Sequence, residues 1–205
     1  MGVIDFVTNE IVSVGNHVVP VFFACDNNFV KYMMVSIKSL ADHTDPLRKY
    51  KIHVLHTDIS AENQKRVKAM EQPNLTIEFN DVTERLERVK KKLLIRDYYS
   101  STTYYRLFIA DMFPQYDKVV YIDSDTVVLK DVYNLFRYKL GDNYVGAVHE
   151  QLVMRQDVFG RYVEDVMCVS RGAYFNAGVL LINSKIFRKK NMLKQFTDML
   201  NTYSF

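Results

Sequence analysis

Cysteine is nearly missing from this chain. The only two, Cys25 and Cys168, lie far apart with no C-x-x-C or Cys/His spacing, which argues against a disulfide framework and a zinc site and fits a reducing, cytoplasmic setting. With seven glycines, four prolines, no internal repeat and no low-complexity tract in 205 residues, collagenous and disordered compositions are excluded. No apolar run approaches the roughly 20 residues of a membrane span. The N-terminus "MGVIDFVTNEIVSVGNH" carries Asp5 and Glu10 and lacks a basic region followed by a long apolar stretch, so it does not read as a signal peptide. Phe6 stands where a myristoylation pattern wants Ser or Thr. An excess of charge is lacking as well: 27 basic residues face 24 acidic ones, a net +3, and the 14 tyrosines and 13 phenylalanines form no regular stacking platform. Nucleic acid is not an expected partner.

What is present is alternation. Hydrophobic residues make up 48% of the chain, enough to bury the core of one domain. "HVVPVFFACD" (17–26) reads as a strand buried on both faces, and "NNFVKYMMVSIKSLADH" (27–43) as a helix with Asn27 or Asn28 as cap. Residues 50–57 and 74–81 predict further strands around a helix over 60–72 capped by Ser60. "VTERLERVKKKLL" (82–94) predicts a charged helix whose basic cluster suits a solvated face or contact with an anionic lipid surface. A helix over 100–113 stops at Pro114, "KVVYI" (118–122) is a short buried strand, and Asp131 is placed to cap a short helix. "YVGAVHE" (144–150) and "AGVLLIN" (177–183) read as strands, and 184–205 as a closing helix. Such a pattern predicts an α/β fold with a mostly parallel central sheet covered by helices, whose ligands bind at the carboxyl ends of the strands. Asp26, Asp123 and Glu150 each stand where an apolar strand gives out.

The run "KVVYIDSDTVVL" (118–129) sets Asp123 and Asp125 one residue apart. On an extended strand both would face one way, with Ser124 turned aside or offering its backbone. Two adjacent carboxylates raise one another's pKa, and Mg²⁺ or Mn²⁺ is their natural companion, leaving coordination positions for phosphate oxygens. A solvated turn would use the same residues.

The wider pattern, "VVYIDSDTVVLKDVYNLF", resembles the nucleotide-sugar glycosyltransferases of family 8, which have the GT-A, Rossmann-like fold and include bacterial galactosyl- and glucosyltransferases of lipo-oligosaccharide synthesis and glycogenin. "VFFACDNNF", "ISAENQKRV", "TTYYRL" and "YFNAGVLLIN" are similar to further family segments and occur in family order over about residues 19–200. The resemblance implies an N-terminal extension (1–18) before a catalytic domain (19–205). It implies that Ala24, Asp26 and Asn28 hold the uracil and ribose of a UDP-sugar, and that Arg106 lies by its diphosphate. Asp123, Ser124 and Asp125 would form the Mn²⁺ or Mg²⁺ and donor site, and Asn176, Ala177 and Gly178 would face the sugar. Glu150 stands where many relatives have aspartate near the sugar, and is counted with Asp123 and Asp125 among the catalytic residues. Asn27 replaces a second acid of some relatives. His149 is given no role. The implied reaction moves a hexose, galactose or glucose, to a saccharide or glycolipid hydroxyl with retention, with peripheral contact at the inner membrane face. No residue stands out as a covalent nucleophile, so same-face attack assisted by the leaving phosphate is expected.

Relatives carry a later Q-D segment and an H-x-x-G-x-x-K-P-W-like stretch with a third metal ligand. Neither occurs here, so the chain is expected to be incomplete at its C-terminus, with two protein ligands for the metal. Two alternatives stay open. One is a nucleotide-sugar binding module without transfer; the other is a haloacid-dehalogenase-like phosphatase with Asp123 as nucleophile and Asp125 as acid/base, although no later acidic pair supports the latter.

Overall fold

The computed structural model describes residues 18–90 and 101–202. β1 (Val19–Ala24), β2 (Tyr50–His56) and β3 (Leu75–Asp81) pair in parallel, and β4 (Val119–Ile122) returns to pair, also in parallel, with the other side of β1. Beyond β4 the direction changes. β6 (Val179–Ile182) runs antiparallel to β4, and β5 (Val145–Gly146) antiparallel to β6, giving the order β3-β2-β1-β4-β6-β5. This is the mostly parallel α/β sheet that the alternation predicts.

All six residues of β1 are buried, and their alternation feeds two layers. Val19, Val21 and Phe23 join Val120 and Ile122 of β4 against Met33, Ile37 and Leu40 of α1 (Val30–Ala41). Phe22 and Ala24 join Val119 and Tyr121 against Tyr105, Phe108, Ile109 and Phe113 on the opposite face. Pro20 is tolerated in this central strand because β4 pairs with β1 only at Val21 and Phe22, leaving no ladder bond for the missing N–H to break. α2 (Ala61–Lys68) has the expected cap, its Asn63 N–H donating to Ser60 Oγ at 3.3 Å. α3 (Thr83–Lys90) buries Leu86 and pairs Arg88 with Glu84 on its exposed side. Residues 91–94 of the basic stretch lie outside the described residues. No helix among the described residues is long and apolar enough to cross a membrane.

Several local readings change. Neither Asn27 nor Asn28 caps α1; the Asp26 carboxylate accepts the Asn28 and Phe29 N–H groups at 2.8 and 3.0 Å, closing an Asx turn that delays the helix to Val30. The expected helix over 100–113 is mainly a 3-10 helix (Ser101–Phe108), followed by α4 (Ile109–Met112). Period three aligns Tyr105 with Phe108 toward the core and leaves Arg106 on another side. Val132 rather than Asp131 is the N-cap of α5 (Tyr133–Phe136); Asp131, one residue earlier, accepts the Tyr133 N–H at 2.8 Å and also binds the Tyr50 hydroxyl. The strand expected over 144–150 shrinks to Val145–Gly146, with His149 in an isolated bridge to Phe175.

Between β5 and β6 the sequence pattern predicts no helix. The structure has α6 (Gln151–Arg155), α7 (Asp157–Arg161) and a π-helical turn (Tyr162–Val166). Arg171 clamps this excursion, bonding Asp157 at 3.2 Å and Glu164 at 2.9 Å, and its guanidinium lies where a side chain on Gly160 would begin. The closing helix is two: α8 (Ser184–Lys189) and α9 (Met192–Thr202), broken where Asn191 takes φ 49°.

His53 is 1% exposed, stacked on Phe22 with ring centroids 4.7 Å apart, and its ring nitrogens lie 3.1 Å from Asn80 Oδ1 and from the Tyr116 hydroxyl. Burial lowers its pKa below the ordinary 6.5, outweighing the Asn80 bond, and burial lowers that of His56 too. The unfolded chain therefore takes up protons near 6.5 that the folded chain resists, so this stability is full above that pH and is lost as pH falls below it. Urea unfolding should show a lower midpoint at about pH 5.5 than at about pH 7.5. In His53→Phe the difference should shrink; an unchanged difference would assign the acid sensitivity to other groups.

Candidate functional site

The chain leaves β1 toward β2 and β3 on one side and comes back to β4 on the other, so strand order reverses between β1 and β4. Open α/β sheets have their crevice at this point, outside the carboxyl ends of the strands. Asp26 and Asp123 stand just past those two ends. Because β6 is antiparallel, the residues before it, Asn176 to Gly178, reach the same rim. β5 runs with β4, so its far end delivers Glu150 there as well.

Strand alternation continues just far enough to aim Asp123. Tyr121 and Asp123 share the face that packs on the Ser101–Phe108 turn, and Arg106 of that turn donates from Nη2 to Asp123 Oδ1 at 3.1 Å. The Tyr121 hydroxyl donates to the same oxygen at 2.8 Å, and the guanidinium lies over the Tyr121 ring, 4.3 Å from its centroid. Arg106 also binds the Thr103 carbonyl at 3.0 Å and the Ala177 carbonyl, and the Asp123 N–H donates to the Gly178 carbonyl at 2.7 Å. Burial raises the Asp123 pKa against the opposing pull of Arg106 and the Tyr121 hydroxyl, and the Asp125 charge raises it further.

After Ile122 the backbone leaves the strand, and residues 124 and 125 form a turn. Asp123 and Asp125 are thus brought near each other by a turn rather than by the pleat. Thr126 Oγ1 donates to the Asp123 carbonyl at 3.0 Å, and α1 docks the segment through Ser36 Oγ, 3.0 Å from Thr126 Oγ1, and Ser39 Oγ, which accepts the Val128 N–H at 2.9 Å. Ser124 is buried, and its hydroxyl donates to the Ala24 carbonyl at 2.8 Å, strapping the end of β4 to the end of β1. Asp125 remains exposed.

On the β6 side, the Gly178 N–H donates to Asn176 Oδ1 at 2.9 Å, and Asn176 Nδ2 donates to Glu150 Oε2 at 2.7 Å. The other Glu150 oxygen accepts the Leu152 N–H at 3.2 Å as the cap of α6. A side chain on Gly178 would begin 3.0 Å from Asp123 Oδ2 and 3.1 Å from Asn176 Oδ1. Asn27 is held away from the rim's centre by the Ser60 N–H and Asn63 Nδ2, at 3.0 and 2.9 Å.

Every residue singled out from the sequence therefore lies on one rim. Arg106, Asp123, Asn176, Ala177, Gly178 and Glu150 are joined by hydrogen bonds, Ala24, Asp26 and Asn28 form the adjoining β1 end, and Ser124 and Asp125 lie in the turn after β4, Ser124 bonded to Ala24. Sequence reasoning missed Tyr121, Ser36, Ser39 and Thr126. Tyr121 had a signal, since it precedes Asp123 by one pleat period. Among the described residues no group of three or more His, Cys, Asp or Glu side chains gathers to hold a metal. Asp123 and Asp125 offer hard carboxylate oxygens beside an open rim, a donor set that suits Mg²⁺ or Mn²⁺ with water or phosphate completing the shell.

A family model described as Glycosyl transferase family 8 matches residues 20–205. Glycosyltransferase GlyE of Streptococcus pneumoniae serotype 4 is 30% identical over 181 residues, covering 87% of this chain and 39% of that protein. Among solved structures, apo WbbM, a bifunctional glycosyltransferase, gives a TM-score of 0.78 at 30% identity, covering 94% of this chain and 36% of its own. The galactosyltransferase LgtC, solved with donor and acceptor sugar analogues, gives 0.72 at 31% identity, covering 91% of this chain and 67% of its own.

Gly178→Ala should crowd Asp123 Oδ2 and destabilise the chain by about 1–3 kcal/mol in urea unfolding, the usual cost of overpacking. An unchanged midpoint would mean that the Asp123 carboxylate is free to move aside.

Proposed function

Because this chain belongs to glycosyl transferase family 8, we propose that it binds a UDP-sugar at the β1–β4 crevice and transfers the hexose, galactose or glucose, to a saccharide or glycolipid hydroxyl. The observation that carries this reading is the convergence of Asp123, Arg106 and the Asn176–Gly178 segment on one rim at the switch point. Ala24, Asp26 and Asn28 would take the uracil and ribose, with the Asp26 carboxylate as acceptor for imide or hydroxyl donors. Arg106 would meet the diphosphate, since a planar guanidinium suits oxygen-rich anions. Asn176 can both donate to and accept from sugar hydroxyls, with Glu150 fixing its amide, and Gly178 leaves room for close approach.

Asp123 and Asp125 would hold Mn²⁺ or Mg²⁺. When bound, such a cation neutralises charge developing on the leaving diphosphate. Both Glu150 oxygens accept hydrogen bonds from the protein, which fixes the orientation of the carboxylate. Retention is what the family resemblance implies, and with no side chain assigned as a covalent nucleophile the route is same-face attack, in which Asn176 and Glu150 hold the sugar and Arg106 holds the leaving group. Family membership removes support from the phosphatase reading. A binding module without transfer is the alternative that experiment must separate.

Calorimetric titration with UDP, with and without Mn²⁺, is the direct test. We expect binding that needs the metal and weakens at least about tenfold in Asp125→Ala. Metal-independent binding, or an unaffected Asp125→Ala, would sink the reading. Incubation with UDP-galactose or UDP-glucose and a saccharide acceptor, read by mass spectrometry, would separate a transferase from a binding module.

A further inference from the structure

Tyr121 is 1% exposed, and its hydroxyl, like that of Tyr50 at Asp131, is bonded to a carboxylate, here one on the candidate site's rim. Tyr105, equally buried, places its hydroxyl 3.1 Å from Thr57 Oγ1, within the protein's own scaffold. Tyr121 instead donates to Oδ1 of Asp123 at 2.8 Å, the oxygen that Arg106 also reaches at 3.1 Å. A carboxylate oxygen has room for about two such donors, so Oδ1 is filled by the protein. Oδ2 lies on the side that Gly178 keeps clear, 3.0 Å from where a side chain there would begin. Arg106 is itself held by the Thr103 and Ala177 carbonyls but reaches the carboxylate through Nη2 alone, and a single bond leaves the carboxylate able to turn about it. The Tyr121 ring supports the guanidinium from below, so one side chain orients both partners of the ion pair.

We infer that Tyr121 is a positioning residue: with Arg106 it reserves Oδ1 of Asp123, so that the carboxylate presents Oδ2 to the rim beside Asp125. The inference rests on the proposed reading of Asp123 and Asp125 as a cation-holding pair. A buried phenol is suited to the task, since its ring is fixed by packing and its O–H is aimed from a strand rather than a loop. Phenylalanine would fill the same space and keep the face under Arg106, but would let the carboxylate turn.

The test is Mn²⁺ titrated at fixed UDP, with bound UDP read by calorimetry, for the unaltered chain, Tyr121→Phe, Gly178→Ala and Asp125→Ala, each checked for folding by thermal melting without metal. In Tyr121→Phe the Mn²⁺ concentration for half-maximal UDP binding should rise by about tenfold or more, the usual effect of removing a hydrogen-bond partner of a metal ligand. UDP affinity at saturating Mn²⁺ should return close to that of the unaltered chain. Gly178→Ala, which crowds Oδ2 with Tyr121 intact, should shift the Mn²⁺ requirement in the same direction and serves as the second arm if Tyr121→Phe does not fold. Two outcomes overturn the inference while leaving the proposed function standing. One is an unchanged Mn²⁺ requirement in either folded variant; the other is a loss of UDP binding in Tyr121→Phe that no Mn²⁺ concentration restores. If the unaltered chain binds UDP without regard to Mn²⁺ and Asp125→Ala matches it, the functional reading fails first and the inference falls with it.

Discussion

The Asp123 carboxylate is held in a half-buried place beside a second acid, and its charge must be compensated before the segments around it can close. Arg106 does this from within a 3-10 turn, where a period of three sends Tyr105 and Phe108 into the core and leaves the guanidinium free to face the sheet end. The planar fork then ties three segments at once: its own turn at Thr103, the approach to β6 at Ala177, and the end of β4 at Asp123. A lysine ammonium, a point charge on a flexible stem, has no such fixed set of directions. Electrostatic compensation and backbone closure are therefore the same contact, and the rim's geometry follows from it.

The reversal of β6 is the second constraint. In an all-parallel sheet the residues before a strand lie on the rim opposite those after it, and Asn176 to Gly178 would be a full strand length away from Asp123. Running β6 antiparallel to β4 brings them together, and the Asp123 N–H is bonded to the Gly178 carbonyl as a direct continuation of that ladder. The absence of a side chain on Gly178 then matters for space rather than for backbone freedom.

Much of this was legible in the sequence, for definite physical reasons. Apolar runs marked β1 and β4 because both faces of these strands are covered, and Ser60 marked the start of α2 because a hydroxyl can satisfy an unpaired helix N–H. The positions of Asp26, Asp123, Arg106 and Asn176–Gly178 were readable from the pattern of segments taken together. Strand direction was not, since "AGVLLIN" has the same composition whichever way it runs. The 3-10 geometry of 101–108 was hidden because periods of 3.0 and 3.6 diverge little over eight residues. The start of α1 was misread because Asp26 competes locally for the very N–H groups that a helix would use. The helices between β5 and β6 escaped notice because their order depends on Arg171, whose partners Asp157 and Glu164 lie too far away in sequence for a local pattern to reveal.

That excursion leaves the sheet at the end of β5 and re-enters it at the start of β6, both on one edge of the molecule. Its internal contacts, Arg171 against Gly160, Asp157 and Glu164, are made without reference to the strands. Lengthening, shortening or rewriting it would leave sheet register untouched, provided that Glu150 and Asn176 still meet at its base. That base is a short ladder: the Glu150 N–H donates to the Tyr174 carbonyl at 3.1 Å, the Asn176 N–H to the Val148 carbonyl at 2.8 Å, and Asn176 Nδ2 to Glu150, so the two ends of the excursion are pinned to each other before it leaves the sheet.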